Sequence, residues 1–187
     1  LGLNLGAVDT VLCMGAAISQ AAGFYHAFRM KGEVPPIAAT IGDSTFYHAG
    51  VPALINAVHN RAKFTLLILD NSTTAMTGNQ PTPNMERLAD GREGKAVAIE
   101  DLVRASGVQF FEVIDPYQLE EMIRAIKEAD KAARSENGGV SVIIARHPCL
   151  MNPGVIKMQR SYSMEVAEDC VACEICSQDF ECPAIGP

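Results

Sequence analysis

Continuous apolar runs alternate with segments of helical periodicity along most of the chain. Four short aliphatic runs predict strands that are covered on both faces: residues 36–41, 64–70, 108–114 and 140–146. Apolar residues at spacings of three and four predict helices over residues 10–30, 51–62, 99–107 and 117–135. This alternation predicts an α/β fold, with a mostly parallel sheet and helices on both faces.

The regular pattern stops after Pro148 and divides the chain into three parts. We expect a domain over residues 1–150, a linker over 151–168 and a cysteine-rich segment over 169–187. The chain begins at Leu1 rather than at methionine, and it stops at Pro187 just after a cysteine motif. We therefore expect a C-terminal-half fragment of a longer protein.

The composition narrows the class of protein. A formal charge of −7 and 48% hydrophobic residues suit a globular protein and favour neither nucleic acid nor a membrane as partner. The sequence lacks an apolar run of roughly 20 residues, and the N-terminus does not resemble a signal peptide. Four of the six cysteines lie in the last eighteen residues, which favours a metal or cluster site in a reducing cytoplasm over disulfides.

Two predicted strands end in oxygen-bearing side chains. Asp43 follows the first strand directly after Gly42, and Asn71 follows Asp70 at the end of the second, 28 positions after Asp43. One strand–helix–strand crossover accounts for that separation, and ligands of parallel sheets gather beyond the carboxyl ends of the strands. A carboxylate and an amide oxygen form a partial shell for Mg²⁺, which takes its other ligands from water and phosphate.

The segment after Asn71 is rich in groups that suit phosphate oxygens. Hydroxyls and backbone N–H groups of a polar loop can bind phosphate oxygens. Here they belong to Ser72, Thr73, Thr74, Thr77 and Gly78.

The stretches "GDSTFYHAGVPALINAVHN" and "LDNSTTAMTGNQPTPN" together resemble the thiamine diphosphate signature, in which GDG is followed by Asn. The T-G-x-Q element at residues 77–80 is similar to that of the ferredoxin-dependent 2-oxoacid oxidoreductases. With "LCMGAAISQAAGF", the chain most resembles the alpha subunits of the indolepyruvate enzymes in that family, over most of residues 9–150. The resemblance implies the thiamine diphosphate-binding fold.

The resemblance also assigns roles to residues. It implies that Mg²⁺ is held by Asp43, Asn71 and the backbone carbonyl of Thr73. It implies that the cofactor's diphosphate is approached by Gly42, Ser44, Thr45, Thr77 and Gly78. Ser44 departs from the general signature, which has glycine at this position.

Two assignments stay open at this point. His48 either begins a helix or lies beside the thiazolium ring, as a catalytic residue that moves protons or orients the oxoacid. Cys13 and Met14 are either core residues or, with Gly15, contacts to the cofactor's pyrimidine ring.

The resembling enzymes use a glutamate against the aminopyrimidine, and this chain offers no convincing candidate. The chain thus looks like the diphosphate-binding half of a site, with the other half supplied upstream or by another chain. We expect the fragment to be inactive alone.

The tail "CVACEICSQDFECP" reads C-x₂-C-x₂-C-x₅-C-P and is close to the run that holds a [4Fe–4S] cluster. The candidate ligands are Cys170, Cys173, Cys176 and Cys182, and zinc is the alternative occupant. In two-cluster ferredoxins the fourth cysteine serves the other cluster, so the site is expected to be incomplete here.

The family resemblance implies oxidative decarboxylation of an aryl 2-oxoacid, with indolepyruvate as the expected type, to an acyl-CoA and CO₂. It implies coenzyme A as a substrate, ferredoxin as electron acceptor, a beta subunit as partner, and a homo- or hetero-oligomer. The alternatives are a non-oxidative thiamine diphosphate decarboxylase or synthase, and a non-catalytic iron–sulfur or zinc module. A dinucleotide-binding enzyme is disfavoured, since no G-x-G-x-x-G follows a strand.

Overall fold

Four parallel strands form the centre of the chain. The computed structural model describes residues 6–151, 166 and 168–176. The strands are ordered β1-β2-β4-β3 and comprise β1 (Ala38–Gly42), β2 (Phe64–Asp70), β3 (Phe110–Ile114) and β4 (Val140–Arg146). Each neighbouring pair is parallel, which confirms the predicted α/β sheet.

Helices cover both faces of this sheet, as the sequence predicts. One face packs against α1 (Ala17–Lys31), α3 (Val51–His59) and α4 (Ile99–Ala105), and the other against α5 (Leu119–Arg134). The larger core contains fully buried Ile18, Leu54, Leu66 and Val103. Burial on both faces explains why the central strands lack an alternating polar pattern.

The strand registers bring the predicted chemistry to one edge. Gly42 is the register partner of Leu69, and Asp70 is the partner of Arg146. Asp43 and Asn71 therefore follow the carboxyl ends of two adjacent strands.

The chain enters a helix immediately after β1, which the sequence prediction of a helix from residue 51 missed. A short helical segment α2 (Asp43–Thr45) leads into a π-helical turn (Phe46–Gly50) and then α3. Val51 donates its N–H to the carbonyl of Phe46, and the next residue, Pro52, has no N–H to donate. Such π turns occur frequently at functional sites.

The first helix begins later than predicted. The sequence predicts a helix from residue 10, but α1 begins at Ala17. Gly15 has a φ of +92°, a left-handed conformation that interrupts a right-handed helix. A segment that approaches the site thus precedes the helix.

Much of the predicted linker lies outside the described residues, as do Cys182 and the end of the cysteine-rich segment. Among the residues that are described, no helix combines the length and apolarity needed to cross a bilayer.

Candidate cofactor site at the carboxyl edge of the sheet

Asp43 is a buried carboxylate with one oxygen that receives no hydrogen bond. Its side chain lies at the turn from β1 into α2 and is 3% exposed. The N–H of Ser44 donates to its Oδ1 at 2.7 Å. Its Oδ2 is buried and has no hydrogen-bond partner within the described part of the chain. Buried polar atoms are nearly always paired, so this oxygen is suited to a ligand from outside the chain.

The surroundings of Asp43 disfavour its negative charge. Burial raises the pKa of its carboxyl from the ordinary 3.8 to about 6, against the opposing effect of the Ser44 N–H. The nearby Asp70 carboxyl adds to the increase in pKa. A bound cation would relieve both effects, because it replaces lost hydration and screens Asp70.

Asp70 lies beside Asp43, and its two oxygens accept hydrogen bonds from three donors. Its Oδ2 accepts from Nε of Arg146 at 2.6 Å. Its Oδ1 accepts from Nδ2 of Asn84 at 2.8 Å and from the N–H of Ser72 at 3.1 Å. Asp70 is thus a fully buried carboxylate that is satisfied by the protein.

Arg146 connects Asp70 to a third carboxylate. Its two terminal nitrogens donate to the two oxygens of Glu100 at 2.8 and 2.9 Å. The hydrogen bonds from this guanidinium lower the pKa of Glu100. When all are ionised, Asp43, Asp70, Glu100 and Arg146 carry two net negative charges, which matches the charge of one divalent cation.

The site also contains three residues that were not predicted from the sequence, Arg146, Glu100 and Asn84. A usable signal existed for Arg146, since it ends the last strand as Asp70 ends the second. Asn84 and Glu100 carried no comparable signal, because Asn84 lies within the irregular segment after β2 and Glu100 follows that segment.

The loop after β2 is shaped by its own side chains. Oδ1 of Asn71 accepts the N–H of Thr73 at 3.1 Å, and Ser72 between them has a φ of +59°. The hydroxyl of Thr74 donates to Oγ of Ser44 at 3.1 Å. This contact ties the Asn71 loop to the Asp43 turn, so the structure brings the two predicted metal-binding segments together.

The T-G-x-Q element forms a closed turn. The Thr77 hydroxyl donates to Oε1 of Gln80 at 2.6 Å, and Nε2 of Gln80 donates to the Thr77 carbonyl at 2.7 Å. Gly78 has a φ of +115° and donates its N–H to Ala75 at 3.3 Å. The Thr77 hydroxyl and the Gly78 N–H are thus engaged in hydrogen bonds within the turn in this structure.

The segment that contains Cys13 and Met14 approaches the same region. A Cβ on Gly15 would lie 2.8 Å from Cβ of Ala49 and 3.7 Å from Cγ2 of Thr45. Cys13 is exposed and Met14 is 70% exposed, so the interpretation of these two residues as core is wrong.

His48 lies on the π turn with an exposed side chain. Its neighbour Tyr47 is held in place, since its hydroxyl donates to the carbonyl of Val97. Burial, followed by the charges of Asp70 and Asp43, raises the pKa of Tyr47. Tyr47 therefore stays neutral and anchors the segment before α4.

The cysteine tail shows no preformed centre in its described part. Cys170, Cys173 and Cys176 are exposed and form no disulfide with another described residue. Across residues 6–151, 166 and 168–176, no group of three or more His, Cys, Asp or Glu side chains is arranged to hold a metal. Asp43 and Asn71 form a different kind of set, with one carboxylate and one amide oxygen.

Two cavities of the chain lie away from this edge. One of about 910 Å³ opens at the amino ends of the strands, beside Lys63, Val108 and Val140. Another of about 430 Å³ lies between α1 and α3. The buried unpaired carboxylate, rather than cavity volume, distinguishes the carboxyl edge.

Comparison with known proteins identifies the domain. Residues 6–145 match the family model described as thiamine pyrophosphate enzyme, C-terminal TPP binding domain. A curated relative from Archaeoglobus fulgidus, indolepyruvate oxidoreductase subunit IorA, is 46% identical over 189 residues, covering 99% of this chain and 29% of the relative. The protein of the same name from Methanothermobacter marburgensis is 42% identical over 180 residues, covering 96% of this chain and 27% of that relative. The chain thus spans less than a third of the length of these relatives.

A solved structure shares the fold. The chain resembles 2-oxoglutarate:ferredoxin oxidoreductase from Magnetococcus marinus, with 2-oxoglutarate, coenzyme A and succinyl-CoA bound, at a TM-score of 0.61 and 14% identity. The match covers 83% of this chain and 53% of that one. The family resemblance drawn from the sequence motifs is confirmed by the curated relatives, and the family model covers the sheet except for Arg146, the last residue of β4. The chain belongs to the family of C-terminal thiamine pyrophosphate binding domains of thiamine pyrophosphate enzymes.

Proposed function

We propose that this chain forms the magnesium- and diphosphate-binding half of the active site of a 2-oxoacid:ferredoxin oxidoreductase. The observation that carries the proposal is Oδ2 of Asp43, a buried carboxylate oxygen that receives no hydrogen bond from the described residues, at the carboxyl edge of a parallel sheet. Membership of the family indicates thiamine diphosphate as the cofactor. The name of the curated relatives indicates an oxidoreductase that acts on a 2-oxoacid.

In this proposal Mg²⁺ is held by Asp43, Asn71 and the backbone carbonyl of Thr73. Oxygen ligands of this kind suit Mg²⁺, and the phosphate oxygens and water complete its shell. Gly42, Ser44, Thr45, Thr77 and Gly78 face the diphosphate. Ser44 is already oriented by the hydroxyl of Thr74.

When bound, thiamine diphosphate would supply a nucleophilic carbon and an electron sink for the decarboxylation of a 2-oxoacid. The chain's own residues position the cofactor and exclude water. We assign His48 to substrate orientation or proton transfer, because its exposed ring lies on the π turn five residues after Asp43. Gly15 brings Cys13 and Met14 toward the same turn, where they contact the pyrimidine ring.

The second half of the site comes from another domain or subunit. Exposed apolar side chains surround this region and suit a protein surface: Val11, Leu12, Met14 and Met76, with exposures of 64%, 73%, 70% and 87%. The domain or subunit that covers these side chains supplies the catalytic glutamate. The assembly is a homo- or hetero-oligomer that includes a beta subunit.

The overall reaction converts an aryl 2-oxoacid of the indolepyruvate type and coenzyme A into an acyl-CoA and CO₂. One proton and two electrons are released, and the electrons pass through [4Fe–4S] clusters to two molecules of ferredoxin. Cys170, Cys173, Cys176 and Cys182 are the proposed cluster ligands. Four clustered thiolates favour this oxidative reaction over a non-oxidative thiamine diphosphate decarboxylase, and they fit a reducing cytoplasm.

Calorimetric titration of the full-length complex with thiamine diphosphate and Mg²⁺ tests the cofactor site. We expect Asp43→Ala and Asn71→Ala each to weaken binding at least tenfold. The matched control is Asp90→Ala, since Asp90 pairs with Arg92 at an exposed turn. Equal binding by all three variants and the parent protein would refute the assignment.

Anaerobic absorption spectra with iron and sulfide analysis test the electron path in the same complex. Zinc in place of iron, or no cluster spectrum, would exclude the oxidative reaction and leave the non-oxidative alternative.

A further inference from the structure

Arg146 lies at the centre of the charged groups behind the candidate metal site. All three of its guanidinium nitrogens donate to carboxylates, one to Asp70 and two to Glu100. The Asp70 side chain is 0% exposed, that of Glu100 is 23% exposed and that of Arg146 is 38% exposed. This ion-pair group is therefore partly or fully withdrawn from water, where charge-assisted hydrogen bonds are strong.

Asp70 transmits the position of Arg146 to the loop that carries Asn71. Its other oxygen accepts from the N–H of Ser72 and from Nδ2 of Asn84. Ser72 has a left-handed backbone, which costs energy in a residue other than glycine and needs such support. The orientation of Asp70 thus determines the path of the chain through Asn71 and Thr73.

Glu100 fixes the guanidinium from the opposite side. It lies in the first turn of α4, which is anchored by the fully buried Ile99 and Val103. The two-fold pairing holds the planar guanidinium in one orientation.

We propose that Arg146 and Glu100 are a positioning pair for the divalent cation site. Arg146 neutralises and orients Asp70, which shapes the Asn71 loop, while Glu100 holds the guanidinium of Arg146 in the orientation that meets Asp70. The identity of the ligand rests on the proposed function, whereas the positioning role rests on the contacts above.

The test measures Mn²⁺ binding to the assembled full-length complex in the presence of saturating thiamine diphosphate. Mn²⁺ prefers the same oxygen ligands as Mg²⁺, and free Mn²⁺ is counted by its six-line electron paramagnetic resonance signal at room temperature. We expect Arg146→Met to weaken Mn²⁺ binding at least tenfold. We expect Arg146→Lys to recover part of this loss, because lysine keeps the charge beside Asp70 but cannot pair two-fold with Glu100.

Arg124→Met is the matched control. Arg124 also contacts three carboxylates, those of Glu112, Glu121 and Glu128, but it lies on α5 away from the site. We expect this variant to bind Mn²⁺ as the parent complex does. Equal Mn²⁺ affinity in the Arg146→Met and Arg124→Met complexes would overturn the positioning role.

Glu100→Gln covers the case in which Arg146→Met does not fold, as judged by circular dichroism. It keeps the side-chain shape but removes the charge that restrains Arg146, so we expect at least threefold weaker Mn²⁺ binding. Unchanged affinity in Glu100→Gln would refute the proposal. If the parent complex itself binds no Mn²⁺, that result refutes the cation site of the proposed function, and the positioning role is refuted with it.

Discussion

Replacing Asp43 with asparagine is expected to stabilise the metal-free chain while removing the negative charge that attracts the cation. The carboxylate is 3% exposed, lies near Asp70, and has one oxygen without a donor. Asparagine has nearly the same shape and carries no charge, and its Nδ2 can donate a hydrogen bond toward Asp70. The substitution therefore removes an unfavourable buried charge without leaving a cavity.

The magnitude follows from the pKa of Asp43, which burial and the nearby Asp70 raise from 3.8 to about 6. Because the folded-state pKa is raised, the protonated carboxyl favours the folded state, and this contribution is lost as the pH rises from about 4 through about 6. At about 1.36 kcal/mol per pH unit, the loss is about 3 kcal/mol. Asp43→Asn should thus match the parent near pH 4 and exceed its free energy of unfolding by about 3 kcal/mol at pH 8.

Urea unfolding of the chain in EDTA, followed by circular dichroism because the sequence contains no tryptophan, measures this difference. Asp101→Asn is the control, since the Asp101 side chain is 72% exposed on α4. A free-energy difference that does not change between pH 4 and pH 8, or a destabilised Asp43→Asn chain at pH 8, would refute the reasoning.

Three further substitutions test how the site is supported. Gly15→Ala should lower the free energy of unfolding by about 1–3 kcal/mol in thermal melts, because φ is +92° and the new Cβ would meet Ala49. The control Gly23→Ala should not be destabilising in these melts, because open space surrounds Gly23. Leu66→Ala should cost about 2–5 kcal/mol in urea unfolding, since Leu66 is fully buried, whereas Leu69→Ala on the same strand should cost far less. Tyr47→Phe removes the hydrogen bond to Val97, which is worth about 1 kcal/mol. Amide hydrogen exchange over residues 94–98 should therefore be roughly fivefold faster. Unchanged exchange would show that Tyr47 does not anchor this segment.

The strands and helices were predictable because their signals are local. Four aliphatic runs coincide with the four strands, and Gly107 ends its helix with a φ of +87°. The helical start at Asp43 was missed because the apolar spacing that predicts the helix begins only at Val51, and a π turn joins α2 to α3 before it. Gly50 is required there because a Cβ would lie 2.7 Å from the ring of Phe46.

The sequence sufficed to place Asp43 and Asn71 after adjacent strands, since one crossover joins those strands and the residue types suit Mg²⁺. The family followed from motifs of the same local kind. The charge environment of Asp43 required the fold, because Asp70 meets Arg146 across 76 positions and Arg146 meets Glu100 across 46. Strand register and helix packing decide which charged side chains meet when they are so far apart in the sequence. The local pattern of residues does not show which of them become neighbours in space. Burial then sets the energy of those charges, so the raised pKa of Asp43 and the unpaired oxygen emerge only in the folded chain.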